Sequence, residues 1–348
     1  MQETKRPAQS NSSLNQQALD SSRSPAVQTS DFFCLLGAYL LFRMPWVFML
    51  PMVEAPDEFA HHWVIQFLKL NWRLPNAHEV VAGGPSAIYG SLPQLGYIPH
   101  VFAGFLLPGD QLALSTRFGS IFMGAWMLFA AFKIGGILFP KNRLLAIAVP
   151  AAIVCHPQLV FIHSYANCDS TSSALASILL WLTLETANSG ITLKRTSLMG
   201  ALVGWLAITK YSGLAIIPVM GVAIIASIFV HGTSIGLAAA SISAAALLAI
   251  ALSAWWFIQN EKQYPGDFMG THTMYASWAK TFHRDTHYYL PASHIIKSLR
   301  WWRMTFFSFW GLFGYMNKYL WRPVYFVYLG LAIAAALGGI KGLVDLCK

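Results

Sequence analysis

Charge is scarce in this chain. Of 348 residues only 11% are Asp, Glu, Lys or Arg, against about 25% in soluble domains. With 56% of the residues hydrophobic, a soluble fold of this length would leave large apolar patches in water. Acids are the rarer sign: 14 Asp and Glu stand against 23 Lys and Arg, a formal net charge of +9. Cysteine is scarce as well. Cys34, Cys155, Cys168 and Cys347 show neither metal-ligand spacing nor a disulfide framework. Cys34 and Cys155 fall in apolar runs and read as packing residues. A Walker loop, a dinucleotide fingerprint and a His-Glu-x-x-His helix are all missing, so soluble nucleotide chemistry gains no support.

What is there is a series of apolar runs, several of the roughly 20 residues that cross a hydrocarbon core of about 30 Å. The first is Phe32 to Met52, with Arg43 and Pro45 inside it. Later runs read 118–139, 144–163, 171–187, 197–209, 212–230, 235–258 and 323–345. The fold class is therefore an all-α integral membrane protein. Its cations sit between the runs, which points to anionic lipid or a phosphate-bearing substrate and away from nucleic acid. An arginine inside a span is costly, and two readings stand for Arg43: a functional charge, or one held by a neighbouring carbonyl.

Residues 1–30 are polar, rich in Ser, Gln and Asn, and lack the apolar core of a signal peptide. They read as a disordered tail, with 31–348 as the multi-span domain. Lys5, Arg6 and Arg23 place that tail in the cytoplasm. The segment 91–107 is short and holds Pro93 and Pro99, so it is expected to lie in the interface. With it not crossing, Lys141, Arg143, Lys194, Arg195, Lys341 and Lys348 all fall on the cytoplasmic side, as the positive-inside rule asks. The count is then about eight crossings. Loops near 53–117 and 259–322 face outward, together with the turns at Asn167-Cys168-Asp169 and Lys210-Tyr211.

The outer loops hold the candidate chemistry. Pro56-Asp57-Glu58 reads as a helix N-terminus, with Pro in the first turn and acids complementing the dipole. Phe59, Trp63, Phe67 and Leu70 then share a face, as in an amphipathic interfacial helix. If that helix starts at Asp57, Asp57 pairs with His61 and Glu58 with His62 at i, i+4. Acid and imidazole within reach serve a general base or a divalent metal. The bland reading is a dipole-favoured helix start. Asn167 and Asp169 read as a helix cap that faces the same side. Lys210 lies between two apolar runs, suited either to snorkelling or to gripping a phosphate. Tyr264 to Tyr289 holds Asp267, His272, His283, Arg284, Asp285 and His287 among aromatics, either a sugar or pyrophosphate site or a solvated loop.

These residues resemble a known family. Pro56-Asp57-Glu58-Phe59-Ala60-His61 after the first span looks like the Pro-Asp-Glu-x-x-His signature of a bacterial membrane family catalogued as domain of unknown function 2142. Similar in order are Arg73-Leu74-Pro75, Leu92-Pro93-Gln94-Leu95-Gly96-Tyr97, Arg117, His156-Pro157-Gln158, Asn167-Cys168-Asp169, Gly204 to Lys210, and a late Phe-Trp-Gly-Leu-Phe-Gly stretch. That family is similar to the GT-C glycosyltransferases. The resemblance implies a GT-C-like bundle in the bacterial inner membrane. It implies a polyprenyl-phosphate-linked sugar donor and a glycan, lipid or protein acceptor. Asp57 would match the catalytic acid of the first outer loop, with Glu58 beside it. Asp169 would match a second acid, and Lys210 a lysine on the lipid phosphate, with Arg284, Arg300 and Arg303 as further phosphate ligands. Asn167, Arg117, His61 and His62 remain substrate or metal candidates, with Mg²⁺ or Mn²⁺ on Asp57, His61 and Asp169 as one form. The sequence departs from the family pattern at Leu92-Pro93-Gln94, where the family has Pro-Pro, and the chain looks shorter at its C-terminal end than many relatives. Two other functions compete: a transporter or flippase of lipid-linked sugars, and a non-catalytic partner in envelope polysaccharide assembly.

Overall fold

A computed structural model gives the fold and describes residues 27–52, 54–281, 283 and 292–346. Arg284, Asp285 and His287 of the expected phosphate or sugar site lie outside the described residues, as does most of the expected tail. The tail is expected to reach residue 30, but helix α1 (Thr29–Met49) already begins at Thr29. Gln28 and Asp31 form a reciprocal capping box there, which satisfies two free N–H groups.

The chain is a helical, multi-pass membrane protein. Among the described residues, five helices are long and apolar enough to cross a bilayer: Thr29–Met49, Gly109–Leu138, Tyr211–His231, Ile235–Gln263 and Arg322–Gly342. Phe229, Leu247 and Phe326 on these helices are exposed, the face that lipid solvates. α1 packs against α5 (Leu112–Leu138) and α6 (Arg143–Cys155). Asp31 at the start of α1 pairs with Arg143 at the start of α6, 2.5 Å apart. This end of the bundle therefore lies opposite the end where α1 runs into Asp57.

The expected span 144–163 is two helices, α6 and α7 (Pro157–Ile162). The break falls at His156, which is extended because the residue before a proline avoids the helical region. The interruption leaves carbonyls at the end of α6 without helical partners. Arg43 supplies them: its guanidinium donates to Ile153 O at 2.8 Å and Val154 O at 3.1 Å and lies over the Tyr39 ring. Of the two readings for Arg43, the neighbouring-carbonyl one describes its contacts.

α8 (Cys168–Ser189) and α9 (Leu193–Ala207) complete the inner bundle. A 3₁₀ turn, Tyr211–Ile216, leads into α10 (Ile217–His231), and α11 (Ile235–Gln263) follows. Gly200 and Gly204 of α9 lie against the backbone of α11 at Ala245 and Ala249. No side chain larger than hydrogen fits at these positions, the close small-residue packing that helices use in lipid.

One expectation from composition is corrected: Cys34 and Cys155 are exposed rather than packed. The described residues are helical with almost no sheet, as expected, apart from a short hairpin in which β1 (Leu312–Phe313) pairs antiparallel with β2 (Lys318–Tyr319). Gly314 sits in its turn at φ 58°, the left-handed region that glycine enters without steric cost.

Candidate functional site

The segment after α1 folds as short helices packed onto the bundle. α2 (Glu58–Asn71) turns Val64, Ile65 and Leu68 into a core with Tyr97, Val101 and Ala166. The apolar face expected to lie in the membrane interface, through Phe59, Trp63, Phe67 and Leu70, is half-buried and ends with Leu70 exposed. The helix is apolar on more than one face, so spacing alone does not rank them. α3 (Ala77–Gly83) follows, and α4 (Ile98–Ala103) has six residues, about 9 Å of rise. The segment 91–107 therefore holds no helix long enough to cross.

Glu58 and Asp57 part company at the first turn. Asp57 is the N-cap, in the left-handed region at φ 55°, a conformation that Asp tolerates better than most residues. The helix begins one residue later than the i, i+4 pairing of Asp57 with His61 requires. Glu58 is fully buried and does not meet His62. Its carboxylate takes both arms of Arg117, at 2.7 and 2.6 Å, and the amide of Ala166 at 3.0 Å. Arg117 also donates to Val47 O and Leu50 O. This pair ties α1, α2, α5 and the approach to α8 together. Glu58 and Arg117 thus stand behind the site and are not among its lining residues. His62 is also outside that lining, and burial, with Arg117 nearby, lowers its basicity.

Asp57 faces a cavity of about 430 Å³ that Asp169, Lys210, His61, Tyr89, Tyr97 and Thr271 also line. Five stretches far apart in sequence converge here. The Tyr89 hydroxyl donates to Asp57 Oδ2 at 2.7 Å. The Tyr89 ring stacks on His61, centroids 4.8 Å apart. His61 Nδ1 and the Tyr97 hydroxyl share a hydrogen bond of 2.5 Å. Burial pulls the His61 pKa down to about 4, with smaller effects from Asp169, Lys210 and Asp57, so the ring is neutral at pH 7. Burial and the Asp57 carboxylate both push the Tyr89 hydroxyl up, so it stays a donor.

Asn167 is the cap of α8: its Oδ1 accepts from Ser170 N at 2.9 Å, and its Nδ2 donates to Ile162 O and Tyr165 O. It is fully buried, which assigns it to structure rather than to substrate. Its neighbour Asp169 points into the cavity and forms an ion pair with Lys210. Burial works against the Lys210 ammonium, but Asp169, with Asp57 farther off, outweighs it and raises its pKa.

The motif Leu92 to Tyr97 owes its form to clamping. Leu95 N donates to Ile208 O, Trp205 Nε1 to Leu95 O, and Thr171 Oγ1 to Gly96 O. Trp256 Nε1 donates to Gln94 Oε1 at 2.9 Å. A Cβ on Gly96 would sit 2.6 Å from Thr209 Cγ2. The segment after α11 roofs the cavity, where Ser91 Oγ donates to Gly270 O and Tyr211 Oη to Met269 O. α12 (Thr271–Thr281) then supplies Thr271 and Met274 to its lining.

Two expected groupings are not assembled. Arg300 and Arg303 are exposed on α14 (Leu299–Trp310), which follows α13 (Ala292–Lys297), and they do not line the cavity with Lys210. Asp57, His61 and Asp169 share the cavity but are engaged by Tyr89, Tyr97 and Lys210 respectively. Among the described residues, no three of His, Cys, Asp or Glu gather as a metal-binding group. This donor set does not fit the Mg²⁺ or Mn²⁺ site expected from the resemblance. Sequence reasoning missed Tyr89. It lies in a loop without periodicity, and its only signal is an aromatic hydroxyl close to the Leu-Pro-Gln motif.

The chain matches no protein-family model, and no curated protein matches it.

Proposed function

We propose that the chain is an inverting, GT-C-like glycosyltransferase. It would use a sugar linked to polyprenyl phosphate and act on a glycan, lipid or protein acceptor at the outer face of a bacterial inner membrane. The proposal includes about eight crossings and a cytoplasmic N-terminus. The observation that carries it is the convergence of Asp57, Asp169 and Lys210 on one cavity at the end of apolar helices. A carboxylate that accepts one hydroxyl donor and, among the described residues, has no ion pair suits a base, and the cation near it, held near lipid depth, suits a phosphate site. The ordered motifs of the sequence are its second support.

Asp57 takes the proton from the acceptor hydroxyl as that oxygen attacks the anomeric carbon. The bond from the anomeric carbon to the phosphate oxygen breaks, and polyprenyl phosphate leaves with the electron pair. Lys210 stabilises the phosphate charge as it develops. Tyr89 fixes the Asp57 carboxylate by its hydrogen bond, and neutral His61 packs behind it. No step runs through a metal.

The test is Asp57→Asn, purified and reconstituted with polyprenyl-phosphate sugar and acceptor. Transfer is expected to fall by about 10²–10⁴, with elution and unfolding unchanged. Near-normal turnover removes Asp57 from this role. Polyprenyl phosphate binding without transfer by the native chain supports the non-catalytic partner instead. Lipid movement across the bilayer without glycosylation supports a transporter.

A further inference from the structure

The two arginines left outside the cavity belong to a region with its own pattern. Between Ala292 and Arg322 the sequence carries five cations, Lys297, Arg300, Arg303, Lys318 and Arg322, and no acid. If this face is extracytoplasmic, so basic a segment runs against the usual distribution of charge about a membrane. Aromatics are dense in the same stretch. Trp301 and Trp302 are half-exposed or nearly so, Trp321 is 77% exposed, and Leu299 is 86% exposed.

The region sits at the end of the bundle that carries Asp57. Trp46 near the end of α1 stacks on Phe313 of the hairpin, centroids 6.5 Å apart. Lys318 of the hairpin pairs with Glu54, 3.1 Å apart and three residues before Asp57. Leu312 N donates to Gln158 Oε1 at 2.8 Å. The hairpin leads directly into α15 (Arg322–Leu346), a membrane-spanning helix. Trp321 and Arg322 therefore mark where the chain enters the bilayer, and α14 lies beside that entry point.

Arg300 and Arg303 are three residues apart in α14, on one side of the helix. Among the described residues neither has an ion-pair partner. A helix with exposed Trp and Leu on its surface and unpaired arginines beside them is built for the plane of the interface. There the aromatic rings sit at headgroup depth, and guanidinium binds phosphate with two parallel N–H donors.

We propose that α14 and the following hairpin form a seat for anionic phospholipid on the membrane face that carries Asp57, with Arg300 and Arg303 binding the headgroup phosphate. The two arginines serve the bilayer and not the sugar donor. The seat does not depend on the reaction proposed above.

The full-length protein, released from mixed vesicles of phosphatidylglycerol and phosphatidylcholine, tests this by native mass spectrometry. The native chain is expected to retain phosphatidylglycerol in clear preference. In Arg300→Gln/Arg303→Gln that preference drops by about 25-fold, the product of about fivefold for each cation at a bilayer surface. Arg73→Gln, which removes an exposed cation paired with Glu79, keeps the native preference and shows that net charge alone is not the cause. Equal retention of the two lipids by the native chain overturns the proposal, as does a double variant that keeps the native preference. If added polyprenyl phosphate, and not phosphatidylglycerol, loses its preference in the double variant, the arginines belong to the donor and the proposal also fails.

Discussion

Asp57 and Glu58 are adjacent in the chain and stand in opposite environments. Glu58 is buried with both oxygens committed to Arg117 and Ala166. Asp57 faces a cavity and takes a hydroxyl donor from Tyr89. The left-handed backbone at Asp57 directs the two carboxylates apart. The difference teaches that one acidic motif can supply both a structural brace and a carboxylate that faces a cavity. The brace joins the end of α1 to α2 and α5, and it holds the loop on which Asp57 is displayed.

The comparison is broken most severely at the brace. Glu58→Ala leaves Arg117 buried and unpaired, which costs about 3–5 kcal/mol. Denaturation in detergent is expected to show that loss, whereas Asp57→Asn leaves unfolding almost unmoved. Equal destabilisation by the two variants would erase the distinction between them.

The cavity side has its own pH dependence. His61 has a folded pKa of about 4, below its ordinary value of about 6.5. Between those values the unfolded chain binds a proton that the folded chain does not, so stability rises with pH across that window. The contribution is complete above pH 6.5 and is lost as pH falls toward 4, about 3 kcal/mol in all. Unfolding followed from pH 7 to 4 is expected to be shallower in His61→Gln than in the native chain. Parallel profiles would place a charged His61 in the folded state.

The smallest effect is expected at the hairpin. Glu54 and Lys318 form an exposed pair, with side chains 43% and 63% accessible. Such pairs contribute about 0.2–1 kcal/mol. A double-mutant cycle on Glu54→Ala and Lys318→Ala is expected to give a coupling in that range, shrinking in high salt. A larger coupling would make the hairpin a second brace comparable with Glu58 and Arg117.

Much of this was legible in the sequence for a physical reason. A membrane span is a local property, set by length and apolarity, so the long helices fall where the apolar runs do. Pro93 and Pro99 likewise foretold that 91–107 would hold no long helix. The proline at 157 was visible too, yet its consequence was not, because a helix break matters only through what fills the freed carbonyls. Arg43 fills them from more than a hundred residues away. The grouping of Asp57, Asp169 and Lys210 on one side of the membrane followed from counting crossings, but their sharing of one cavity did not.

By itself, then, the sequence determined a helical, multi-pass membrane chain and a short set of acids, histidines and cations beside it. Only the tertiary structure decided which of those groups were used up internally. It turned Glu58 and Arg117 inward, made Asn167 a cap, added Tyr89 to Asp57, and moved Arg300 and Arg303 out of the cavity. The reason is that burial and partnership depend on contacts between residues remote in sequence. The charge on a side chain is local, but what that charge faces is not.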